Sequence, residues 1–466
     1  MNIKYSKILG LSLLFFVTLE GLDAFSIRNF PIYWIRVSFF LLVFIILYFF
    51  GFRIPNFNLI NIRNWIIYGV FVTLFQSMFN DLVLPKYAST SYFQYISLRI
   101  LKLALFLGII YSLNYLFQKY SFEKIITFLL ISCLIISTLS IISYFSYLIG
   151  YSDFPRNRSG SGGWTQPIER ACSILRNYGT FREPSFLAIW TVPFIPYFFY
   201  LGKKNKKWYF LSLIPILSIV LSRSLTGYTA LFFSAILIFL LIILIHKKAE
   251  FNLMIMLAIF LIVTFFSSSI SYQFPPDNKY CENLSECICV SEDKLDELKN
   301  SQSVPDATFG RLSEITSIGL DAFENTAFLI DYIFDQGFSL FGDGFGHSNI
   351  IFSYAADEAS RKEIDNQIIY RNPGQVVSFN NLYANILMST GLIGLLWFLY
   401  IIIDILRKLV LQNSKLQPFI LTSIISTLFM FSYQAEELSS HLAIAIAFSL
   451  NTVSYTHLTL PTICSV

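Results

Sequence analysis

Charge is what this chain has least of. Only 13% of its 466 residues are Asp, Glu, Lys or Arg, while 55% are hydrophobic. A soluble domain carries about 25% charged residues. So little charge cannot cover a water-exposed surface, which excludes a soluble globular protein and points to an integral membrane one. Histidine is scarce, at 4 residues, and cysteine numbers 6. The group Cys281, Cys287 and Cys289 (C-x5-C-x-C) has no histidine nearby and makes a poor zinc site, so no metal and no cofactor are expected. An oxidising exterior would permit disulfides among these three and Cys172, but an odd number in one segment leaves the pairing open. No period-two alternation of apolar and polar residues dominates, which excludes a transmembrane barrel and leaves helices. The net charge of +4 comes from basic residues scattered among loops, which gives no footprint for nucleic acid. No A-x-A-like cleavage site follows Lys4 and Lys7, so the first apolar segment is expected to stay as an anchor.

What is abundant is apolar sequence in bilayer-length windows, each needing roughly 20 residues. These fall near 8–26, 31–51, 64–81, 97–117, 124–149, 185–202, 208–222, 226–246, 251–271, 381–406, 417–433 and 438–453. The expected fold is therefore an all-α polytopic membrane protein of about twelve transmembrane helices. It divides into N-terminal helices over 1–272, including a polar loop at 150–184, a large polar insertion over 273–380 between the ninth and tenth spans, and C-terminal helices over 381–453. Within the insertion, 311–336 mixes apolar and acidic residues at helical spacing, which suits a helix lying on the membrane surface or over the core. Residues 454–466 interrupt the membrane pattern. They resemble translated sequencing-adapter read-through and are expected to be a non-native tail.

Orientation follows from the lysines. With the N-terminus cytoplasmic, alternate connections carry Lys4 and Lys7, Arg53 and Arg63, Lys119 and Lys124, Lys203, Lys204, Lys206 and Lys207, Lys247 and Lys248, then Arg407, Lys408 and Lys415. This obeys the positive-inside rule and puts the large insertion outside the cytoplasmic membrane. The opposite connections are nearly free of lysine yet carry Arg156, Arg158, Arg170, Arg176, Arg182 and Arg223. Topology disfavours these arginines, so another advantage must retain them.

The stretch Arg176 to Ser185, R-N-Y-G-T-F-R-E-P-S, shows what that advantage is. Glu183-Pro184-Ser185 reads as a helix start, because proline suits the first helical position. A helix beginning there aims its positive dipole end, with Arg176 and Arg182, at one aqueous face, which favours an anion. Arg223 lies in the tight turn 222–226, beside a helix that can start at Ser224 or Thr226. Two helix N-termini and three guanidinium groups then share one anion site, and Arg311, in T-F-G-R, can join from the insertion.

The pattern R-x-x-G-x-F-x-E-P-S (Arg176, Gly179, Phe181, Glu183, Pro184, Ser185) resembles that of Wzy-type O-antigen and exopolysaccharide polymerases, in the superfamily that includes the O-antigen ligases. L-S-R-S-L-T-G (Leu221 to Gly227) resembles the S-x-S/T-G turn of that superfamily. L-F-G-D-G-F-G (Leu340 to Gly346) and N-N-L-Y-A-N-I-L-M-S-T-G-L-I-G (Asn380 to Gly394) resemble the G-x-G turn that ends its large outer loop and the span that follows. The ligases carry H-N-x-Y where this chain has N-N-L-Y; Asn380 departs from them and favours a polymerase.

The resemblance implies a polyprenyl-pyrophosphate-dependent glycosyltransferase of the bacterial inner membrane. It would polymerise the repeat units of an O-antigen, capsule or exopolysaccharide on undecaprenyl-pyrophosphate-linked oligosaccharides. Membrane lipid and a chain-length regulator protein are the implied partners, and nucleic acid is not. The alternatives are an O-antigen ligase acting on lipid A-core, and a polysaccharide flippase or transporter, for which the acidic Glu20 and Asp23 at the end of the first span would speak. Arg176, Arg182, Arg223 and Arg311 are the candidate pyrophosphate ligands, since arginine gives permanent, bidentate hydrogen bonding to phosphate. Each can instead pair with lipid headgroups or with a loop carboxylate such as Glu169. Glu183 is a candidate general base at the acceptor hydroxyl, or a helix cap. His347 is a second candidate base, or a structural loop histidine. Asp343 is placed to orient His347 or to shape the glycine-rich turn.

Overall fold

The computed structural model describes residues 2–27, 30–49, 60–79, 91–151, 169–170, 174–175, 177–222, 224–246, 279–283, 286–289, 332–333, 339–361, 376, 379, 381–411, 416–432 and 438–458. Among these residues the chain is mostly helical. The first helices are α1 (Asn2–Glu20), α2 (Ile32–Phe49), α3 (Ile60–Phe79), α4 (Tyr92–Phe117) and α5 (Phe122–Leu148). Then come α6 (Pro184–Thr191), a 3-10 turn (Val192–Phe194), α7 (Ile195–Gly202), α8 (Lys207–Leu211), α9 (Leu213–Ser222) and α10 (Leu225–His246). The last four are α11 (His347–Arg361), α12 (Leu382–Val410), α13 (Gln417–Met430) and α14 (Ser440–Leu458). Among the described residues five stretches are long and apolar enough to cross a membrane, as an all-α membrane protein requires: Ile32–Phe49, Tyr92–Phe117, Phe122–Leu148, Pro184–Gly202 and Leu382–Val410. Shorter apolar helices occupy Lys207–Ser222, Thr226–Leu241, Gln417–Met430 and Ser440–Asn451. The expected span at 251–271 and the helix expected at 311–336 lie outside the described residues, save for 332–333. From the insertion come α11 and an antiparallel hairpin, Lys279–Asn283 against Glu286–Cys289, whose register sets Cys281 opposite Cys287.

Hydropathy located these helices but missed their interruptions. The first was expected over 8–26 and ends at Glu20, where Gly21 and Leu22 bond back to the carbonyls of Thr18 and Leu19 (3.1 Å each) and the chain turns into a short hairpin, Ser26–Ile27 with Phe30–Pro31. The segment from Pro184 to Gly202 is broken in the middle, where Pro193 and Pro196 lack the N–H groups that a continuous helix needs. The Ser423 hydroxyl, on α13, donates to the Pro193 carbonyl at 2.9 Å. Hydroxyl contacts also join α10 and α13 through Ser234 and Ser426 (2.7 Å), and Asn451 donates to Asn114 between α14 and α4. Such polar side chains hold helices together where lipid offers no hydrophobic incentive to associate.

The broken segment α6–α7 is the centre of the bundle: 83% of its apolar window is buried, against 22% for α2 at the periphery. Large apolar side chains cover the outside, among them Phe49 and Met78, each 82% exposed, a surface suited to lipid. The two ends of the bundle differ. At one end Ser6 meets Tyr120 (3.2 Å) and Lys204 pairs with Glu123, so the start of α1 lies there with the connections that follow α4 and α7. At the other end, the close of α1 meets the start of α6. Ala24 N–H donates to the Thr180 carbonyl (3.0 Å), the Thr180 hydroxyl donates to the Gly21 carbonyl, and Arg182 pairs with Asp23.

Candidate functional site

The turn before α6 is built around a buried amide. Asn177 Oδ1 accepts from the Ser140 hydroxyl (3.0 Å) and from Gly179 N–H (3.2 Å), while its Nδ2 donates to the Ser218 carbonyl (3.3 Å). Its backbone N–H donates to the Leu221 carbonyl at 2.9 Å. A fully buried Asn is tolerable here because both ends of its amide are satisfied. This bracing ties the residue after Arg176 to a residue two before Arg223. Arg176, Arg223 and Arg311 themselves lie outside the described residues, as does Asn380.

Glu183 occupies the N-cap position of α6, with extended backbone (φ −142°, ψ 152°) and Pro184 in the first turn, as the sequence predicts. Its side chain does not cap. It accepts instead from the Ser185 hydroxyl at 3.3 Å, so the carboxylate is held at the mouth of the helix rather than folded over its amides. Arg182 bonds Asp23 through Nε at 2.8 Å, and its guanidinium lies 4.8 Å from the Phe186 ring centroid. Ser224 starts α10: its hydroxyl accepts from Gly227 N–H (3.4 Å) and its carbonyl from Tyr228 N–H (2.9 Å). The first turn of α10 lies against the second turn of α6, since a Cβ placed on Gly227 would stand 3.1 Å from the Ala188 Cβ. Two positive dipole ends therefore open side by side at the end of the bundle where Arg182 lies.

The later motifs also meet. α12 is interrupted at Gly391 (φ 69°, ψ −176°). In an unbroken helix Leu392 N–H would bond Met388 O and Ile393 N–H would bond Ser389 O. Here Leu392 and Ile393 donate to the Ser339 and Leu340 carbonyls (3.0 and 3.3 Å), while Asp343 and Gly344 donate to the Met388 and Ser389 carbonyls (2.8 Å each). The glycine-rich turn thus replaces two helical hydrogen bonds with four of its own. α3 closes the junction from the side: Gln76 Nε2 donates to Gly342 O (2.9 Å), Tyr68 to Thr390 O (3.0 Å), and Phe345 N–H donates to Thr73 Oγ1 (2.8 Å).

His347 begins α11 and is fully buried. Its Nε2 lies 3.2 Å from Ser77 Oγ and against the Tyr92 hydroxyl. Ser77 donates its own proton to the Thr73 carbonyl (2.7 Å), so towards the ring its oxygen is left to accept. Burial pushes the His347 pKa down to about 4, a neutral ring. Asp343, whose carboxyl is pushed up by burial, serves the turn through its backbone, and the ring nitrogens of His347 face hydroxyls instead. His347 and Glu183 thus belong to different neighbourhoods, one against α3 and α4, the other against α1 and α6.

One cluster escaped the sequence reading. Arg36 on α2 is buried against Glu20 (3.1 Å), which also accepts from Ser440, and His441 packs edge-on to Trp190 and Phe194. An arginine inside an apolar window was the available signal, because such residues almost always face a partner within the bundle. No family model, curated protein or solved structure matches the chain.

Proposed function

We propose that this chain is a polyprenyl-pyrophosphate-dependent glycosyltransferase of the O-antigen polymerase type. It has about twelve spans in the bacterial inner membrane, with the 273–380 insertion on the outer side. The observation that carries the reading is the pairing of the α6 and α10 N-termini, braced by the Asn177–Leu221 hydrogen bond. Two dipole ends, flanked in sequence by Arg176, Arg182 and Arg223, suit the multiple negative charges of a pyrophosphate leaving group.

In this reading an acceptor sugar hydroxyl attacks the anomeric carbon of the donor glycan. The new glycosidic C–O bond forms as the bond from the anomeric carbon to the phosphate oxygen breaks, with inversion. The electron pair leaves on polyprenyl pyrophosphate, where the arginines stabilise it. Glu183, held at the mouth of α6, takes the hydroxyl proton; pyrophosphate leaves readily, so modest basicity suffices. His347 is the second candidate base, though its buried, neutral ring suits a structural role better.

A transporter draws support from the interruption of α12, since broken helices mark transport sites. That break is filled by the backbone of 339–344, which favours the enzyme. The test is polymer length on gels of surface glycan from cells complemented with variants. Arg176→Lys is expected to fold and lose most polymer, and Arg176→Ala to lose more, because the planar fork and then the charge are removed. Glu183→Gln is expected to abolish polymer at normal membrane levels. Wild-type chains from Arg176→Ala would reduce this arginine to a lipid anchor and sink the assignment.

A further inference from the structure

We infer that Cys281 and Cys287 are joined by a disulfide, which staples the hairpin near the start of the 273–380 insertion and excludes Cys289. Three cysteines allow three pairings, and the backbone register selects one of them. The inference rests on one part of the proposed function, the outward placement of the insertion, because thiols stay reduced in the cytoplasm. It uses none of the proposed chemistry.

In the antiparallel pair, Cys281 stands directly opposite Cys287, Tyr280 opposite Ile288, and Lys279 opposite Cys289. Directly opposed residues on antiparallel strands share a face of the ribbon, with Cα atoms about 4.5–5.5 Å apart. That lies inside the roughly 4.4–6.8 Å that a disulfide spans. The other two pairings fail on the same geometry. Cys287 and Cys289 are two rises apart on one strand, about 6.8 Å, whereas a disulfide needs Cβ atoms about 3.5–4.5 Å apart. Cys281 and Cys289 are diagonal neighbours, about 7–8 Å apart. The irregularity in this ladder falls between Cys281 and Asn283, towards the turn, so the pairings from Lys279 to Cys281 keep one register.

The hairpin needs such a link. Among the described residues it pairs with no third strand, and an isolated two-stranded hairpin is marginal at best in water. Its strands, K-Y-C-E-N and E-C-I-C, place Tyr280 and Ile288 on one face and the cysteines on the other. One apolar cross-strand pair contributes about 0.2–1 kcal/mol, too little to order nine residues. A cross-link restricts the unfolded chain instead. Its formation is a thiol–disulfide exchange. The thiolate of one cysteine attacks a sulfur of an oxidant, a protein or small-molecule disulfide, and the second thiolate then displaces that sulfur. Two thiols lose two protons and two electrons, one S–S bond forms, and the oxidant leaves as two thiols.

The test is peptide mapping of the full chain from bacterial membranes, quenched in acid with N-ethylmaleimide and digested without reduction. Cleavage after Glu282 and Glu286 separates Cys281 from the other two cysteines. A linked pair of peptides is expected in wild type and in Cys289→Ser, and none in Cys287→Ser. The same protein, reduced in detergent and then treated with oxidised glutathione, supplies the second arm. A link that survives Cys287→Ser but not Cys289→Ser would overturn the pairing. No link in either arm, with the thiols of spheroplasts labelled by a membrane-impermeant maleimide, would also overturn it and leave the outward placement standing. Thiols that stay reduced in membranes yet link Cys281 to Cys287 in detergent would overturn the disulfide in the cell and the outward placement with it. Reduction of the link is expected to speed native cleavage after Glu282; an unchanged rate would overturn the stapling of the hairpin.

Discussion

Gly391 and Gly342 meet backbone to backbone: a Cβ on Gly391 would stand 2.6 Å from the Gly342 nitrogen, and both residues have positive φ. The interruption of α12 and the glycine-rich turn therefore form one unit. Gly391 sits in a region of φ/ψ open essentially to glycine alone, where a side chain costs of order 1–3 kcal/mol before any clash. Gly391→Ala is expected to lower the melting temperature in detergent and expose the 339–344 turn to protease. An unchanged melting temperature would mean that the turn does not fill the helix break.

The Glu20–Arg36 pair gives a second expectation. Arg36→Met leaves the Glu20 carboxylate buried without its main cationic partner, a change that costs about 3–5 kcal/mol for buried pairs. Replacing both, as Glu20→Leu with Arg36→Met, removes charge and countercharge together and should restore most of that loss. Thermal unfolding of the two single variants and the double one measures the coupling. Additive losses would show that the two residues do not act as a pair.

His347 makes stability depend on pH. Its pKa is about 4 in the folded chain against 6.5 ordinarily. Between those values the unfolded chain binds the proton and the folded chain does not, so stability falls as pH drops from about 6.5 towards 4 and is unaffected above. Asp343 works in the opposite sense, because its raised pKa lets the folded chain take a proton first. The expected observation is a gap in melting temperature between wild type and His347→Gln that shifts against wild type as pH is lowered through this window. A gap independent of pH would show that the ring is not shielded from water.

Asn177→Ala tests the brace beneath the proposed donor site. The change strands the Ser140 hydroxyl and Gly179 N–H inside the protein, at about 1–3 kcal/mol for each buried group left unpaired. Reduced thermal stability is expected, with a loss of polymer larger than the drop in membrane level explains, because the turn sets the geometry of α6. Full-length polymer from Asn177→Ala would show that the brace does not matter to function.

Hydropathy alone determined that this chain is helical and built for a membrane, because apolar windows of bilayer length have few other uses and each backbone group in lipid must bond within its own helix. Local chemistry also marked the start of α6 at Glu183-Pro184 and narrowed that of α10 to Ser224 or Thr226, since proline and a capping hydroxyl act on their nearest neighbours. Tertiary structure decided the rest. Nothing near residue 391 in sequence supplies the bonding that its break requires; the partner carbonyls and amides come from about fifty residues away. That Arg182 pairs with Asp23, and that Ser185 donates to the Glu183 carboxylate, which does not cap its helix, are contacts only the packing of the chain could show. Arg36 carried only the generic signal of charge in an apolar window. Its pairing with Glu20 depends on what faces it across the bundle, and helical periodicity gives direction around a helix but not the identity of its neighbour.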